Sequence, residues 1–508
     1  MVSGRAARNG GWIGLGALVA IFLLGLGLRV GEAWDGRPPV YDAQAYAAIA
    51  RNLDQGHGFT VGAGATQPSS NYSPGLPLSV AGVYEATGGV HERLARLLLA
   101  AIGSLSVLFA YAIGRRLARP PHRPGSSEVG GPAGSERLAK KGGYRRPNSP
   151  IVWPALVGAL AVAVYPALLE YQGMLMSEPL AAALLSGGVL AVLWAWEGDW
   201  LRWLLPGALF GALPMVRPEY LGVTVLVALV VAIRPSAAPL SISPPDRAAG
   251  EGRRRGLLRS HGRSLAAAGA MLLAAAVVIA PWTIRNAVAL DRFVPVSTGG
   301  GQVLYAGTYL PSAGDPERVG AEVVAENPGL FGPGAARHLR LEQILARLAH
   351  ARYPGMESDQ ALTKLGKERL WDDVSDHPGE YAGFLAAKVG RIWFHPARDV
   401  MRGLPWALLQ WALAILGIAG LALLAWRRRW EALLLATILL AITLIGALLV
   451  ASPRRTLVLV PLLAALAATA LSYLAASLGS SSAARLTKPG RAADGLPGSG
   501  SGDSLSTP

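Results

Sequence analysis

The chain carries about ten separate apolar runs, most of them close to the length that crosses a bilayer, and no other feature narrows its fold as far. They are Gly11–Val30, Leu94–Gly114, Ile151–Leu169, Pro179–Trp196, Trp203–Val216, Glu219–Ile233, Ser264–Trp282, Leu404–Trp426, Glu431–Val450 and Thr456–Ala476. A soluble protein would have to bury all of them, whereas membrane spans account for them directly. Composition agrees: 52% of residues are hydrophobic and 16% charged, against about 25% charged in soluble domains. Disorder needs the opposite balance. With no cysteine, disulfide scaffolds and thiolate metal sites are excluded. The first run is longer than a signal-peptide core and passes into Arg29, Glu32 and Trp34 without a small-residue cleavage site, so it reads as an uncleaved helix. Pro74–Tyr84 is apolar but too short to span and reads as a re-entrant or interfacial piece. The expected fold is an all-α polytopic membrane protein with about ten transmembrane helices, within a range of roughly 9–13.

Charge placement gives the topology. Arg115–Pro150 holds nine Lys or Arg against Glu128 and Glu136, and Pro235–Arg263 holds six Arg against Asp246 and Glu251. Arg427, Arg428 and Arg429 separate two late runs. Ten alternating helices with a cytoplasmic N-terminus put all three clusters on one side, where short basic loops stay. The net charge of +15 is then topological. Anionic inner-leaflet headgroups are the partner it implies, with no nucleic acid. The organisation is an N-terminal membrane region at 1–282 with a first outer loop at 31–93, and basic cytoplasmic loops at 115–150 and 235–263. An extracytoplasmic domain at 283–403, helices at 404–477 and a disordered cytoplasmic tail at 478–508 complete it. The outer domain balances 14 basic against 14 acidic residues and reads as a small mixed soluble domain, with helical periodicity at Leu339–Ala351 and Asp359–Val374.

The chemistry-bearing residues fall at outer helix ends. Asp42, Tyr46, Ile49 and Leu53 share one face of a short amphipathic helix in the first outer loop. Asp42 could be an N-cap or a general base held at the membrane face. Glu178 stands where the fourth helix enters the membrane, a costly place for a carboxylate. Arg217 and Glu219 flank Pro218 in a tight turn, Arg285 ends the seventh helix, and Arg454 and Arg455 precede the last. Guanidinium forks suit phosphate; snorkelling at the interface is the alternative for each.

These segments resemble the signature of the C superfamily of glycosyltransferases, integral-membrane enzymes that use lipid-linked sugars. The likeness starts with Asp42, Tyr46, Ile49-Ala50-Arg51-Asn52-Leu53 and Gly56-His57-Gly58-Phe59, and continues through Pro74-Gly75-Leu76-Pro77-Leu78 and Ser177-Glu178. Gly207–Ala212 with Arg217-Pro218, Pro281-Trp282-Thr283-Ile284-Arg285-Asn286 and the Ser297–Gly307 stretch carry it further. Arg454 to Pro461 is similar to Arg-Tyr-Arg-x-Pro-x-x-Pro, with Arg455, Thr456 and Val458 departing from it. The subgroup it resembles is that of the bacterial relatives of protein O-mannosyltransferase (family 39) and of lipid A aminoarabinose transferase. The resemblance implies a membrane glycosyltransferase, hexosyl- or pentosyl-transferring and mannosyltransferase-like, working on the outer face of the cytoplasmic membrane. It implies a polyprenyl-phosphate sugar donor, a hydroxyl acceptor on a protein, lipid or glycan, and inversion. Asp42 would be the base, Arg285, Arg217 and Arg454 would hold the donor phosphate, and Glu178, Tyr46 and His57 would orient the acceptor or the site.

Weaker signals remain. Gly299-Gly300-Gly301 could cradle phosphate but lacks a following Lys-Ser/Thr. His57 near Asp42 and Asp54 could help bind a divalent metal, while no His pair at metal spacing exists, so no metal site and no certain cofactor is expected. Trp194, Trp196, Trp200 and Trp203 read as an interfacial aromatic belt, and Trp371 and Trp393 as core of the outer domain. A transporter or flippase would instead show broken helices in paired positions and ionisable residues near the midplane. A non-catalytic envelope polysaccharide assembly protein would not need Asp42.

Overall fold

A computed structural model of the chain describes residues 2–40, 42–62, 64–119, 152–233, 249–332 and 334–486. Most of the two basic loops and of the C-terminal tail fall outside the described residues.

Every apolar run is helical, as expected of a polytopic all-α protein. Seven helices are long and apolar enough to cross a membrane: Trp12–Asp35, Glu92–Ala118, Glu178–Ala195, His261–Leu290, Leu404–Trp426, Trp430–Leu448 and Val460–Leu478. The pair Trp153–Ala163 and Pro166–Gly173, bent by 40° at its break, forms either a broken eighth span or a re-entrant loop, so seven or eight spans stand among the described residues where about ten were expected. Trp200–Val216 and Tyr220–Ile233 are shorter apolar helices. The span at Leu290 belongs to a helix that begins at Ala249, so part of the segment expected as a basic loop is helical.

The break in the bent pair has a sequence cause and a tertiary remedy. Pro166 has no N–H to give the carbonyl of Val162, four residues back. Arg29, 1% exposed, reaches across from the first helix and donates from Nη2 to Val162 O at 3.1 Å and from Nη1 to Ala163 O at 3.2 Å. In a bilayer a freed carbonyl needs such a partner.

Small residues let the helices approach closely. Gly207 and Gly211 lie one turn apart on the helix Leu204–Val216, facing Met271 and Ala275 of the helix Ala249–Leu290. A Cβ on Gly211 would sit 2.7 Å from the Ala275 Cα, so glycine is required there for contact of this kind. The helix Val460–Leu486 packs against Leu404–Trp426, Glu92–Ala118 and Trp153–Ala163 through buried Ala464, Ala465, Ala467 and Ala468.

The bundle has two chemically different ends. At one, Arg116 pairs with Glu197 at 2.7 Å, Arg429 donates to the Arg119 carbonyl at 2.6 Å, and Trp196 stacks on Trp430. The other end carries Asp42–Asp54, Gly75–Thr87 and the outer helices. Gly75–Thr87, the short apolar piece, packs on Asp42–Asp54 and on Glu92–Ala118 without spanning.

The outer segment is helical, not mixed: among the described residues the chain has no strand, only one isolated antiparallel bridge from Thr60 to Pro68. Leu341–Arg352 and Ser358–Asp376 fall where periodicity placed them and build a separate apolar core with Tyr305, Tyr309, Val323, Ile344, Leu345 and Leu362. Trp371 is not in that core; it is 74% exposed. Trp393 packs against the membrane part and donates to Thr443 Oγ1 at 3.2 Å.

Candidate active site

Four chain segments distant in sequence deliver charged side chains to one point at the end of the bundle that carries Asp42–Asp54. Asp42 opens the helix Asp42–Asp54, and Glu178 opens Glu178–Ala195. Arg217 and Glu219 occupy the turn between the two shorter apolar helices, and Arg454 and Arg455 open the one-turn helix Arg454–Leu457. Each lies where a helix starts or stops, so its polar group can face away from the apolar bundle.

The side chains form a line of alternating charge. Arg454 Nη2 donates to Asp42 Oδ2 at 3.2 Å, and its Nε donates to Glu178 Oε1 at 2.7 Å. The same Glu178 oxygen accepts from Arg217 Nη1 at 3.1 Å. Arg217 Nη2 lies 2.9 Å from Glu219 Oε1, which also accepts from Arg455 Nη1 at 2.9 Å. Glu178 is fully buried, and among the described residues its Oε2 has no hydrogen-bond partner. The Asp42 side chain is 42% exposed, the most open member of the line. Asp42 Oδ2 turns to Arg454.

Environment sets the protonation states. Burial pushes the Glu219 carboxyl up, but Arg217 and then Arg455 outweigh it and hold it at about 2. Burial opposes the charge on Arg454, and Glu178 and Asp42 more than restore it, so that guanidinium is raised above its ordinary value. Arg455 is lowered by burial despite Glu219. Tyr46, one turn after Asp42, is raised first by burial and then by Asp42 and Glu178. It is buried and packs edge-on against Tyr72, with centroids 5.7 Å apart.

Not every candidate joins this line. Arg285 donates to the carbonyls of Ser69 at 2.8 Å and Phe59 at 3.2 Å, and lies over the Trp282 ring at 4.9 Å. It clamps the first outer loop to the end of a spanning helix rather than facing Asp42. His57 is exposed beyond the helix end, with its backbone N–H bonded to Asn52 O. The Gly299–Gly301 stretch is not an open cradle: the Gly301 N–H donates to Asp359 Oδ1 at 2.8 Å. Among the described residues no group of three or more His, Cys, Asp or Glu is placed to hold a metal.

Other participants lie outside the candidate set. Glu170 Oε1 accepts from Arg37 Nη1 and from Arg398 Nη2, each at 2.6 Å. Between this group and the line stands Tyr171, with Arg398 5.7 Å and Arg454 5.6 Å from its ring centroid. An ionisable residue directly at the end of the apolar run Ile151–Leu169 was the available signal for Glu170. Arg398 and Arg37 carry no local signal of this kind, being ordinary loop cations in sequence. A polar cleft of about 840 Å³, lined by none of the residues of the charged line, has Gln67, Ser70, Asn71, Asp291, Arg292 and Glu357 on its walls.

No protein-family model matches the chain, and no curated protein matches it in sequence. Solved structures do. The archaeal oligosaccharyltransferase AglB from Archaeoglobus fulgidus, in complex with an inhibitory peptide and a dolichol-phosphate, matches over 95% of this chain at 16% identity and a TM-score of 0.50. The match covers 52% of that protein, so the chain spans about half the length of the oligosaccharyltransferase. ArnT from Cupriavidus metallidurans, bound to undecaprenyl phosphate, matches over 95% of this chain and 81% of its own, at 13% identity and a TM-score of 0.35, too low to support an argument. What the likeness to the oligosaccharyltransferase shows is a shared fold.

Proposed function

We propose, from the fold it shares with a C-superfamily membrane glycosyltransferase, that this chain transfers a sugar from a polyprenyl-phosphate donor to a hydroxyl acceptor, with inversion and with Asp42 as general base. The observation that carries this reading is the line Asp42–Arg454–Glu178–Arg217 at one end of the bundle, with its carboxylate at the open end and its arginines inward.

Among the described residues, Asp42 accepts a hydrogen bond only at Oδ2, so Oδ1 is left for the acceptor hydroxyl. The hydroxyl oxygen attacks the anomeric carbon from the face opposite the phosphate. Its proton passes to Asp42, a carbon–oxygen bond forms, and the bond to phosphate breaks with its electron pair leaving on the phosphate oxygen. A phosphate monoester is a good leaving group, so the main demand is to hold its developing negative charge. Arg454 and Arg217 are the guanidinium groups placed for that. Glu178 keeps both oriented when no phosphate is present, and its second, buried oxygen is available within the same group to a shifted Arg454. Tyr46 backs Asp42 from the next turn. Arg285 acts through position, fixing the loop that carries Phe59 and Ser69.

The polar cleft, whose Asn71 precedes the Tyr72 that packs on Tyr46, suits a hydrophilic acceptor. The oligosaccharyltransferase is seen with a lipid phosphate and a peptide, and the same kinds of donor and acceptor are those this reading needs. Arg116, Arg119 and Arg429 at the opposite end of the bundle support an extracytoplasmic site in the cytoplasmic membrane.

The test is transfer from a panel of radiolabelled polyprenyl-phosphate sugars into membranes containing wild type or Asp42→Asn. Loss of a general base reduces transfer by about 10²–10⁴-fold, and the variant should still insert and fold because Asp42 is partly exposed. Wild-type activity in Asp42→Asn would overturn the assignment.

A further inference from the structure

The aromatic belt at the opposite end of the bundle lines a partly open cavity bordered by exposed Asp199, Trp200 and Arg263. It has a volume of about 410 Å³ and lies between the Trp200–Trp203 turn and the helix that ends at Leu290. The helix Glu178–Ala195 separates it from the charged line, and eighteen residues at 1.5 Å each span about 27 Å, close to a hydrocarbon core. The cavity therefore sits at headgroup depth in the other leaflet, where tryptophans concentrate.

Its walls are built, not incidental. Trp203 is 4% exposed and meets Trp196 edge-on with centroids 5.5 Å apart, and Trp196 stacks on Trp430 at 4.3 Å. Trp200 borders the same space and is 57% exposed. Val231 and Ala267 contribute apolar wall. One charge of each sign borders the same space, Asp199 and Arg263. The neighbouring charges are engaged elsewhere: Glu197 pairs with Arg116, and Arg202 lies over the Trp194 ring at 4.9 Å. Among the described residues neither Asp199 nor Arg263 has an ion pair or a side-chain hydrogen bond.

We propose that this cavity binds the headgroup of a zwitterionic phospholipid, with its ammonium between Asp199 and the indole rings and its phosphate at Arg263. Aromatic faces joined to a carboxylate select a cation, and a guanidinium fork selects phosphate. A purely anionic headgroup would meet Asp199, and an acyl chain would meet both charges. The apolar flank of the bundle beside the cavity leaves room for the tails in lipid. Nothing in this proposal depends on the transfer reaction.

The experiment uses the full chain purified in a neutral detergent, given equimolar phosphatidylethanolamine and phosphatidylglycerol, with retained lipid read by native mass spectrometry. Wild type should retain the zwitterionic lipid about fivefold or more over the anionic one. Asp199→Asn should abolish that preference, and Arg263→Gln should lower retention of both lipids; a melting midpoint measured for each variant checks its fold. Free phosphoethanolamine in excess should not displace the lipid. Equal retention of both lipids by wild type, or a preference that survives Asp199→Asn, would overturn the proposal. Full displacement by free phosphoethanolamine would overturn the lipid as source and leave a soluble aminophosphate.

Discussion

The two ends of this helical bundle handle charge in opposite ways. At the outer end, carboxylates and guanidiniums from four distant segments are gathered, largely buried and joined in one line. At the other, an exposed pair such as Arg116–Glu197 stands beside tryptophans, and Asp199 and Arg263 border a cavity without pairing. Burying ions costs several kcal/mol each unless partners compensate, so the outer arrangement is expensive and stable only as a set. The other end follows the ordinary chemistry of a membrane interface. Expensive pre-oriented charge is what stabilising a transition state requires.

The sharpest way to break this contrast is Glu178→Gln. Removing the central, fully buried carboxylate leaves Arg454 and Arg217 facing each other, and breaking a buried pair costs about 3–5 kcal/mol. Thermal unfolding in detergent should show a large drop in midpoint, whereas an unchanged midpoint would mean that the line is not held by its charges.

Acid tests the same set. Glu219 is held at about 2, below the ordinary value of about 4.3 for glutamate. Its contribution is fully present above the ordinary value and lost as pH falls toward about 2, because the unfolded chain takes up the proton first. Stability of wild type should fall over that window, and Glu219→Gln should flatten this part of the profile.

Lys388 sharpens the comparison from the opposite direction. It is 1% exposed in the outer helix Pro378–Phe394 and has a carbonyl, Gly307 O, rather than a carboxylate as partner, at 2.5 Å. Burial, then Arg455, lowers it to about 7. Between about 7 and the ordinary value of about 10.4 the unfolded state binds more protons, so stability rises with pH across that window. Lys388→Met should remove this slope and raise stability at neutral pH; an unchanged slope would assign it to other groups. The smallest effect is expected at the other end: Arg116→Gln breaks an exposed pair and should change stability by about 0–1 kcal/mol.

Much of the site could be read in the sequence because its members sit at helix ends, where a charged residue beside an apolar run stands out. Asp42, Glu178, Arg217 and Arg454 meet as their shared placement suggested. Arg285 has the same local signature yet holds a loop. Arg455, which departs from the family pattern, completes the line through Glu219. Local sequence separates an arginine at an interface from one in a loop, but not two interface arginines from each other. Which way each points depends on how its helix is rotated and what crosses it.

By itself the sequence determined which segments are apolar helices and at which helix ends the scarce charge stands. Those follow from hydropathy and from loop charge, which are sums over neighbouring residues. Only the tertiary structure decided that Arg29 caps the carbonyls freed at Pro166, that Tyr171 stands between Arg398 and Arg454, and that Glu178 is shared by two arginines. These depend on distances between residues tens to hundreds of positions apart, set by helix packing and small-residue contacts such as Gly211 on Ala275.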